Sequence, residues 1–396
     1  MDSSSLVIIK YLLLYSEWGN VKRVVNLTLA VVLVVGTVGA VTGVGGPVGA
    51  ATAQETPECG FPITETDATG ESVTVEGPPE TVVTLNPSGA QILWEIGAKE
   101  KVTGVTKHAM NLEGAEERTN ISNAGQTISH EIVVDLAPDL VIVPLSRVAT
   151  EEDVETLRDA GLTVFAYSTA NSIDEVRERT LLTGQLVDEC EGAVETVEWM
   201  DKQLDIVADA VEDKERPDVL YTFFGFTAGE QTHIHDILEA AGGNNVAADA
   251  GIEEYQPVNE EVVLAEDPDW IVLNSNSPEI PEGEGFEQTT AVQEGQTIVL
   301  DINHINRPGP RIVYAVQELA EAFHPEAYAE AVEAAESTPT PTGEQPEDDE
   351  TPASDTEPTE SADDDGAGFG VVVLLGGLLG VSLLGLGRKA RHTGDK

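Results

Sequence analysis

One segment occurs twice in this chain, and the repetition limits the folds open to it. Residues Glu131 to Asp139 end in Pro138-Asp139 and run into the apolar Leu140-Val141-Ile142-Val143. Residues Glu261 to Asp269 end in Pro268-Asp269 and run into Trp270-Ile271-Val272. Each copy places an acid the same distance ahead of Pro-Asp and then a short continuous apolar run, as in buried parallel strands. One unit in each half predicts two similar lobes facing a cleft. A purely structural or adhesive surface protein needs neither.

Between Glu71 and Glu336 short apolar runs alternate with amphipathic stretches, which predicts an α/β fold. Thr81 to Leu85 reads as a strand, and Asn86-Pro87-Ser88 turns it into a helix. That helix keeps Ile92, Leu93 and Ile96 on one face and stops at Gly97. Val102 to Val105 is a second strand. Thr150 with Asp153 forms a capping box for a helix that Gly161 ends, and Leu162 to Tyr167 is the next strand. Ser172 with Glu175 opens another helical stretch. A long helix from Glu189 to Val211 then keeps Val194, Val197, Leu204, Val207 and Val211 at helical spacing. Its roughly 35 Å length suits a rigid spar between two α/β halves. After Pro217 the second half begins with a strand at Asp218 to Phe223 and a helix near Asp236 to Ala241 stopped by Gly242-Gly243.

The ends read as addresses rather than fold. Lys22 and Arg23, the apolar run Val24 to Val48 and Ala51-Thr52-Ala53 match a secretion signal cleaved before Gln54, with translation starting at Val21. An uncut signal anchor is the other reading. Residues 337–365 hold Pro, Thr, Ser and acid and predict an extended stalk. Phe369 to Leu386 is an apolar run of membrane-spanning length, with Arg388, Lys389 and Arg391 behind it. Gly366-Ala367-Gly368-Phe369-Gly370 with that run and basic tail resembles the PGF-CTERM sorting signal of archaeal surface proteins, with Ala367 where Pro is expected. A plain transmembrane anchor is the alternative, and either tethers the protein to the outer membrane face. The expected organisation is therefore signal region 1–53, N-terminal extension 54–78, N-terminal lobe 79–188, interlobe helix 189–212, C-terminal lobe 213–336, stalk 337–365 and anchor 366–396.

The formal net charge is −52, from 20 Lys and Arg against 72 Asp and Glu. Nucleic acid is excluded as a partner, because phosphate binding needs clustered basic side chains. Acidic disorder and a folded domain adapted to molar salt both explain the charge. The regular patterning of 41% hydrophobic residues favours the halophilic domain. Cys59 and Cys190 either form one bridge or stay free, and Thr56-Pro57-Glu58 before Cys59 is no lipobox. Asn120-Ile121-Ser122 is a glycosylation sequon.

From Pro79 to Pro325 the layout resembles the helical-backbone class of solute-binding proteins for ATP-driven importers, which take up cobalamin, iron–siderophore complexes and haem. The resemblance rests on Val83 to Ser88, the two Glu…Pro-Asp segments, Gly242 to Val246, and Asn306-Arg307-Pro308-Gly309-Pro310-Arg311. It implies a ligand held between loops at the carboxyl ends of the strands and a rigid helix that limits closure. It also implies that Glu131 and Glu261 dock on Arg residues of a permease dimer with its ATPase subunits. The binding protein itself is expected to be a monomer when free. Cleft residues expected in the first lobe are Asn86, Ser88, His108, Ser146, Arg147 and Tyr167. In the second lobe they are Phe224, Tyr255, Asn274, His304 and Arg307. Aromatics offer flat apolar contact to a macrocycle, while Asn, Ser and Arg bond its side arms. A corrinoid such as cobalamin is the expected transported ligand, with a ferric siderophore second, and no resident cofactor is implied.

An enzyme reading rests on His233-Ile234-His235-Asp236, since His-x-His supplies two ligands to a metal. No Cys-x-x-Cys, Gly-x-Ser-x-Gly or phosphate-cradling Gly-Lys-Ser/Thr sequence supports it. The expectation is a binding protein without catalytic residues or a metal site.

Overall fold

Alternating side chains open the folded chain with an antiparallel hairpin of β1 (Ile63–Thr66) and β2 (Ser72–Val75), Val73 and Val75 turned inward. The computed structural model describes residues 59–125 and 127–337. The expected signal region, stalk and C-terminal anchor lie outside the described residues. The chain divides into two units, Met1–Ala335 and Glu336–Lys396, and the lobes belong to the first.

The first lobe follows in the order β3 (Val82–Thr84), α1 (Pro87–Glu95), β4 (Val102–Val105), β5 (Thr119–Asn120), α2 (His130–Leu136), β6 (Leu140–Pro144), α3 (Glu151–Asp159) and β7 (Val164–Tyr167). Its strands are all parallel, in the order β5-β4-β3-β6-β7. The interior strand β6 is buried along its whole length, as its unbroken apolar sequence requires between two layers of helices. Pro87 opens α1 and Asn86 caps it, while Thr150 and Asp153 close the capping box of α3. From residue 59 onward the expected N-terminal extension is part of this lobe. The Ala68 N–H donates to the Ala166 carbonyl, and buried Asp67 accepts from the Ala166 N–H and pairs with Arg158.

Two helices join the lobes, α4 (Ile173–Val187) and α5 (Cys190–Val211). Cys59 is disulfide-bonded to Cys190 at the start of α5. Along α5, Ala193 packs into the first-lobe core with Leu93 and Ile96. Met200 and Val207 of the same helix pack into the second-lobe core with Val219 and Ile237. Bending α5 would expose apolar surface from both cores, which gives the spar its stiffness.

The second lobe contains β8 (Asp218–Phe223), β9 (Phe226–Ala228), α6 (His233–Ala240), β10 (Asn244–Asn245), α7 (Val246–Asp249), β11 (Tyr255–Pro257), α8 (Glu260–Glu266) and β12 (Trp270–Asn274). It continues through α9 (Glu284–Glu287), α10 (Thr290–Glu294), β13 (Thr297–Leu300), α11 (Ile302–Ile305), α12 (Ile312–Phe323) and α13 (Pro325–Ser337). The parallel order β10-β8-β12-β13 repeats β4-β3-β6-β7 of the first lobe. β9 and β11 extend β8 on the antiparallel side.

The sequence repeat is a structural one. Helices α2 and α8 both stop on a left-handed residue, Ala137 and Asp267, each with φ of 45°. Past each stop, an Asp carboxylate catches the strand that opens its lobe. Asp139 Oδ2 accepts the Thr81 N–H at 2.9 Å, and Asp269 Oδ2 accepts the Asp218 N–H at 2.9 Å. The Pro-Asp pairs thus join the start of β6 to the start of β3 and the start of β12 to the start of β8.

Candidate functional site

In each sheet the chain leaves the first strand toward one neighbour and later returns on the other side. The loops at the carboxyl ends therefore part at β3/β6 and at β8/β12, and crevices at such switch points are where open α/β sheets hold ligands. Asn86 and the turn after Pro144 flank the first crevice. Phe223 to Gly225 and Asn274 to Ser277 flank the second. Hydrogen bonds between the lobes bring these ends together. Arg307 Nη1 donates to Asn111 Oδ1 at 2.7 Å, and Nη2 donates to the His108 carbonyl at 2.6 Å. Behind them Gln91 Nε2 donates to the Asn303 carbonyl, and Arg311 pairs with Glu95 at 2.6 Å.

The second-lobe side is aromatic. Tyr221 stacks on Phe223 with ring centroids 5.3 Å apart, and Tyr255 meets Phe223 edge-on at 5.8 Å. Phe226 and Phe224 also pack on Phe223, each with centroids 6.3 Å away. The ladder ends in Phe224, which is 62% exposed. Phe224 and Gly225 form a two-residue hairpin turn with φ of 46° and 80°, the type I′ geometry. A bulky side chain is strained there, and such strain gathers where a site needs a particular side chain. The Phe224 N–H donates to Ser277 Oγ, closing β8 against the loop after β12. Sequence reasoning missed Tyr221, Phe223, Phe226 and Ser277. The run Phe223-Phe224-Gly225-Phe226 was the available signal, hidden because Phe-Gly is an unusual hairpin turn.

The first-lobe side is polar. Arg147 is exposed and makes no hydrogen bond or ion pair with any of the described residues. Ser146 Oγ accepts the N–H groups of Val148 and Ala149, shaping the turn that carries Arg147. Asn86 caps α1 with its Oδ1 and donates from Nδ2 to the Pro144 carbonyl, tying the two sides of the crevice. His108 is exposed. Partial burial of its ring, then the charges of Lys107 and Arg307, hold its pKa below the ordinary imidazole value. Tyr255 is half-buried, and burial raises its phenol pKa. Burial also pushes the Arg307 guanidinium down to about 10, so it stays charged at neutral pH.

Four expected cleft residues have other work. Ser88 is buried, and its hydroxyl donates to Asn86 Oδ1 within the cap. Tyr167 is buried under α4, its ring against Phe165 and its hydroxyl 3.0 Å from Thr183 Oγ1. Asn274 is fully buried. Its Nδ2 donates to Tyr221 Oη and Asn306 Oδ1, while its Oδ1 accepts from the Asn276 and Ser277 N–H groups. His304 packs on Tyr314 and faces Glu318 of α12, in a separate depression of about 320 Å³.

The His233/His235 pair does not converge. Two positions apart on α6 they point to different sides: His233 Nε2 donates to the Ile305 carbonyl, and His235 Nδ1 faces Asn245. Burial pushes the His233 pKa down to about 4. Among the described residues no group of three His, Cys, Asp or Glu could hold a metal ion.

Glu131 and Glu261 are exposed in the first turns of α2 and α8. Those helices run back toward the amino ends of their sheets, so both acids sit on the carboxyl-end rim. Asn120 is exposed on the edge strand β5.

A family model described as periplasmic binding protein matches residues 82–303, which span both sheets and the helices joining them. The chain belongs to that family. This periplasmic binding protein is 39% identical over 279 residues to a cobalamin-binding protein of Halobacterium salinarum, covering 67% of this chain and 75% of the relative. It is 27% identical to an uncharacterized ABC transporter substrate-binding lipoprotein, YvrC of Bacillus subtilis, covering 68% of this chain and 88% of that one. Among solved structures, the apo periplasmic heme-binding protein RhuT from Roseiflexus sp. RS-1 superposes with a TM-score of 0.56 at 27% identity, over 63% of this chain and all of that one. Periplasmic binding proteins of this kind capture ligands outside the cytoplasm, and the relatives are substrate-binding proteins rather than enzymes. Among the described residues no helix is long and apolar enough to cross a membrane.

Proposed function

We propose that this periplasmic binding protein is the receptor of an ATP-driven importer and that it carries a corrinoid, cobalamin, between its lobes. The observation that carries the reading is the aromatic ladder Tyr221–Phe223–Phe224, which ends in a strained, exposed ring at one switch point. Neutral amide and hydroxyl groups stand at the other, beside the guanidinium of Arg147, which has no partner among the described residues. A macrocycle offers a flat apolar face to the ring, and its amide arms suit Asn, Ser and Arg. The similarity to the cobalamin-binding protein of Halobacterium salinarum supports the same ligand. A polyanionic siderophore would want several free cations in a chain whose net charge is −52. The ligand is cargo and leaves with each cycle, so it is no resident cofactor.

Glu131 and Glu261 dock the two lobes on Arg residues of the permease dimer. In molar salt the Debye length is about 3 Å, so docking relies on direct charge-assisted bonds rather than steering. The apolar run Phe369 to Leu386 with its basic tail supports tethering to the outer membrane face, and Lys22 to Ala53 supports export.

Calorimetry on the full chain in molar KCl tests the ligand, titrating cyanocobalamin and then ferric hydroxamate and catecholate siderophores. Micromolar or tighter binding of cyanocobalamin alone is expected. Siderophore binding without cobalamin replaces the ligand and keeps the receptor. No binding by a folded sample overturns both.

A further inference from the structure

Seven large apolar side chains among the described residues are exposed, and two of them occupy the same place in the two lobes. Val134 is 36% exposed on α2 and Leu264 is 44% exposed on α8. Each lies three residues after the lobe's rim acid, Glu131 or Glu261, and so on the same helix face. The core does not need either side chain, because the adjacent Val133 and Val263 fill the inward face of each helix at 0% and 2% exposure. The exposure pattern runs in step through both copies from the acid to the proline.

From this we infer that Val134 and Leu264 are apolar docking knobs, each paired with its acid, on a surface that meets a two-fold-symmetric protein partner. The inference rests on the reading of Glu131 and Glu261 as docking acids. Equal chemistry at equivalent places on two lobes fits a partner that presents one face twice, a dimer of one chain. That face carries a basic group beside an apolar socket. Charge complementarity excludes a second copy of this acidic chain and an anionic lipid surface. At high salt the acid contacts weaken while apolar burial is not screened, so the knobs supply a larger share of affinity there than at low salt.

The test measures binding of the full chain to the permease–ATPase complex in nanodiscs, at 0.3 M and 3 M KCl. Variants are the double substitutions Val134→Ser with Leu264→Ser, and Glu131→Gln with Glu261→Gln, with melting temperatures confirming the fold of each. The apolar pair is expected to weaken binding at least about tenfold at both salts. The acidic pair is expected to weaken it more at 0.3 M than at 3 M. Wild-type binding by the apolar pair with loss in the acidic pair overturns the knobs and keeps the docking acids. Wild-type binding by both pairs overturns both readings.

Discussion

Arg307 reaches from the second lobe to His108 of the first, its Nη2 donating to the His108 carbonyl at 2.6 Å. With the second bond to Asn111, one guanidinium closes the rim at which the two sheets meet. Two charge-assisted bonds from a half-buried cation are worth about 1.5–3 kcal/mol each at most.

Arg307→Ala should therefore loosen the lobes. Spin labels at exposed Glu116 and Glu279 should show a broader interlobe distance distribution, and the melting temperature should fall by several degrees. An unchanged distribution would mean that the spar alone holds the lobes.

Phe224→Asn should move stability and affinity in opposite directions. Asn is at ease in the left-handed first position of a type I′ turn, so the strain at φ 46° is relieved by about 1 kcal/mol. Loss of the exposed ring should weaken cyanocobalamin binding by tenfold or more. Thermal melts and calorimetry on the same sample read both. Unchanged affinity would place the ligand elsewhere.

His233 makes stability depend on pH below neutrality. Its folded pKa is about 4 because burial disfavours the charged ring, whereas the unfolded imidazole titrates near 6.5. Between those values the unfolded chain binds the extra proton. The stabilisation is thus complete above pH 6.5 and is lost as pH falls toward 4, by up to about 3 kcal/mol. Urea melts at pH 7.5, 6 and 5 should show this slope, and His233→Gln should flatten it.

The Cys59–Cys190 bridge spans 131 residues. Its removal frees a long loop in the unfolded chain, so Cys59→Ser with Cys190→Ser should cost about 2–5 kcal/mol. A reductant should lower the melting temperature of the wild type to that of the variant and leave the variant unmoved.

Much of the fold was legible because it is written locally. Apolar β6, the capping box at Thr150 and Asp153, and the stop at Gly97 report themselves within a few residues. The Pro-Asp repeat signalled two lobes, and its carboxylates bind the opening strands of both. The hairpin β8–β9 was not legible, since a bulky Phe at positive φ breaks the usual turn chemistry. The fates of the polar side chains were harder to read. Nothing near Tyr167 announces that α4 covers it, and nothing near His304 announces that Tyr314 and Glu318 claim it.

The sequence by itself determined the strand and helix alternation, the long spar, the paired rim acids and the excess of negative charge. These follow from periodicity, capping and composition, which act over a few residues. Only the tertiary structure decided which polar and aromatic groups remain free for a ligand. Asn274 is consumed by Tyr221 and Asn306, Arg307 by residues nearly two hundred positions away, and Arg147 by none of the described residues. Burial obliges each polar atom to find a partner, and the partner within reach is set by packing between distant segments.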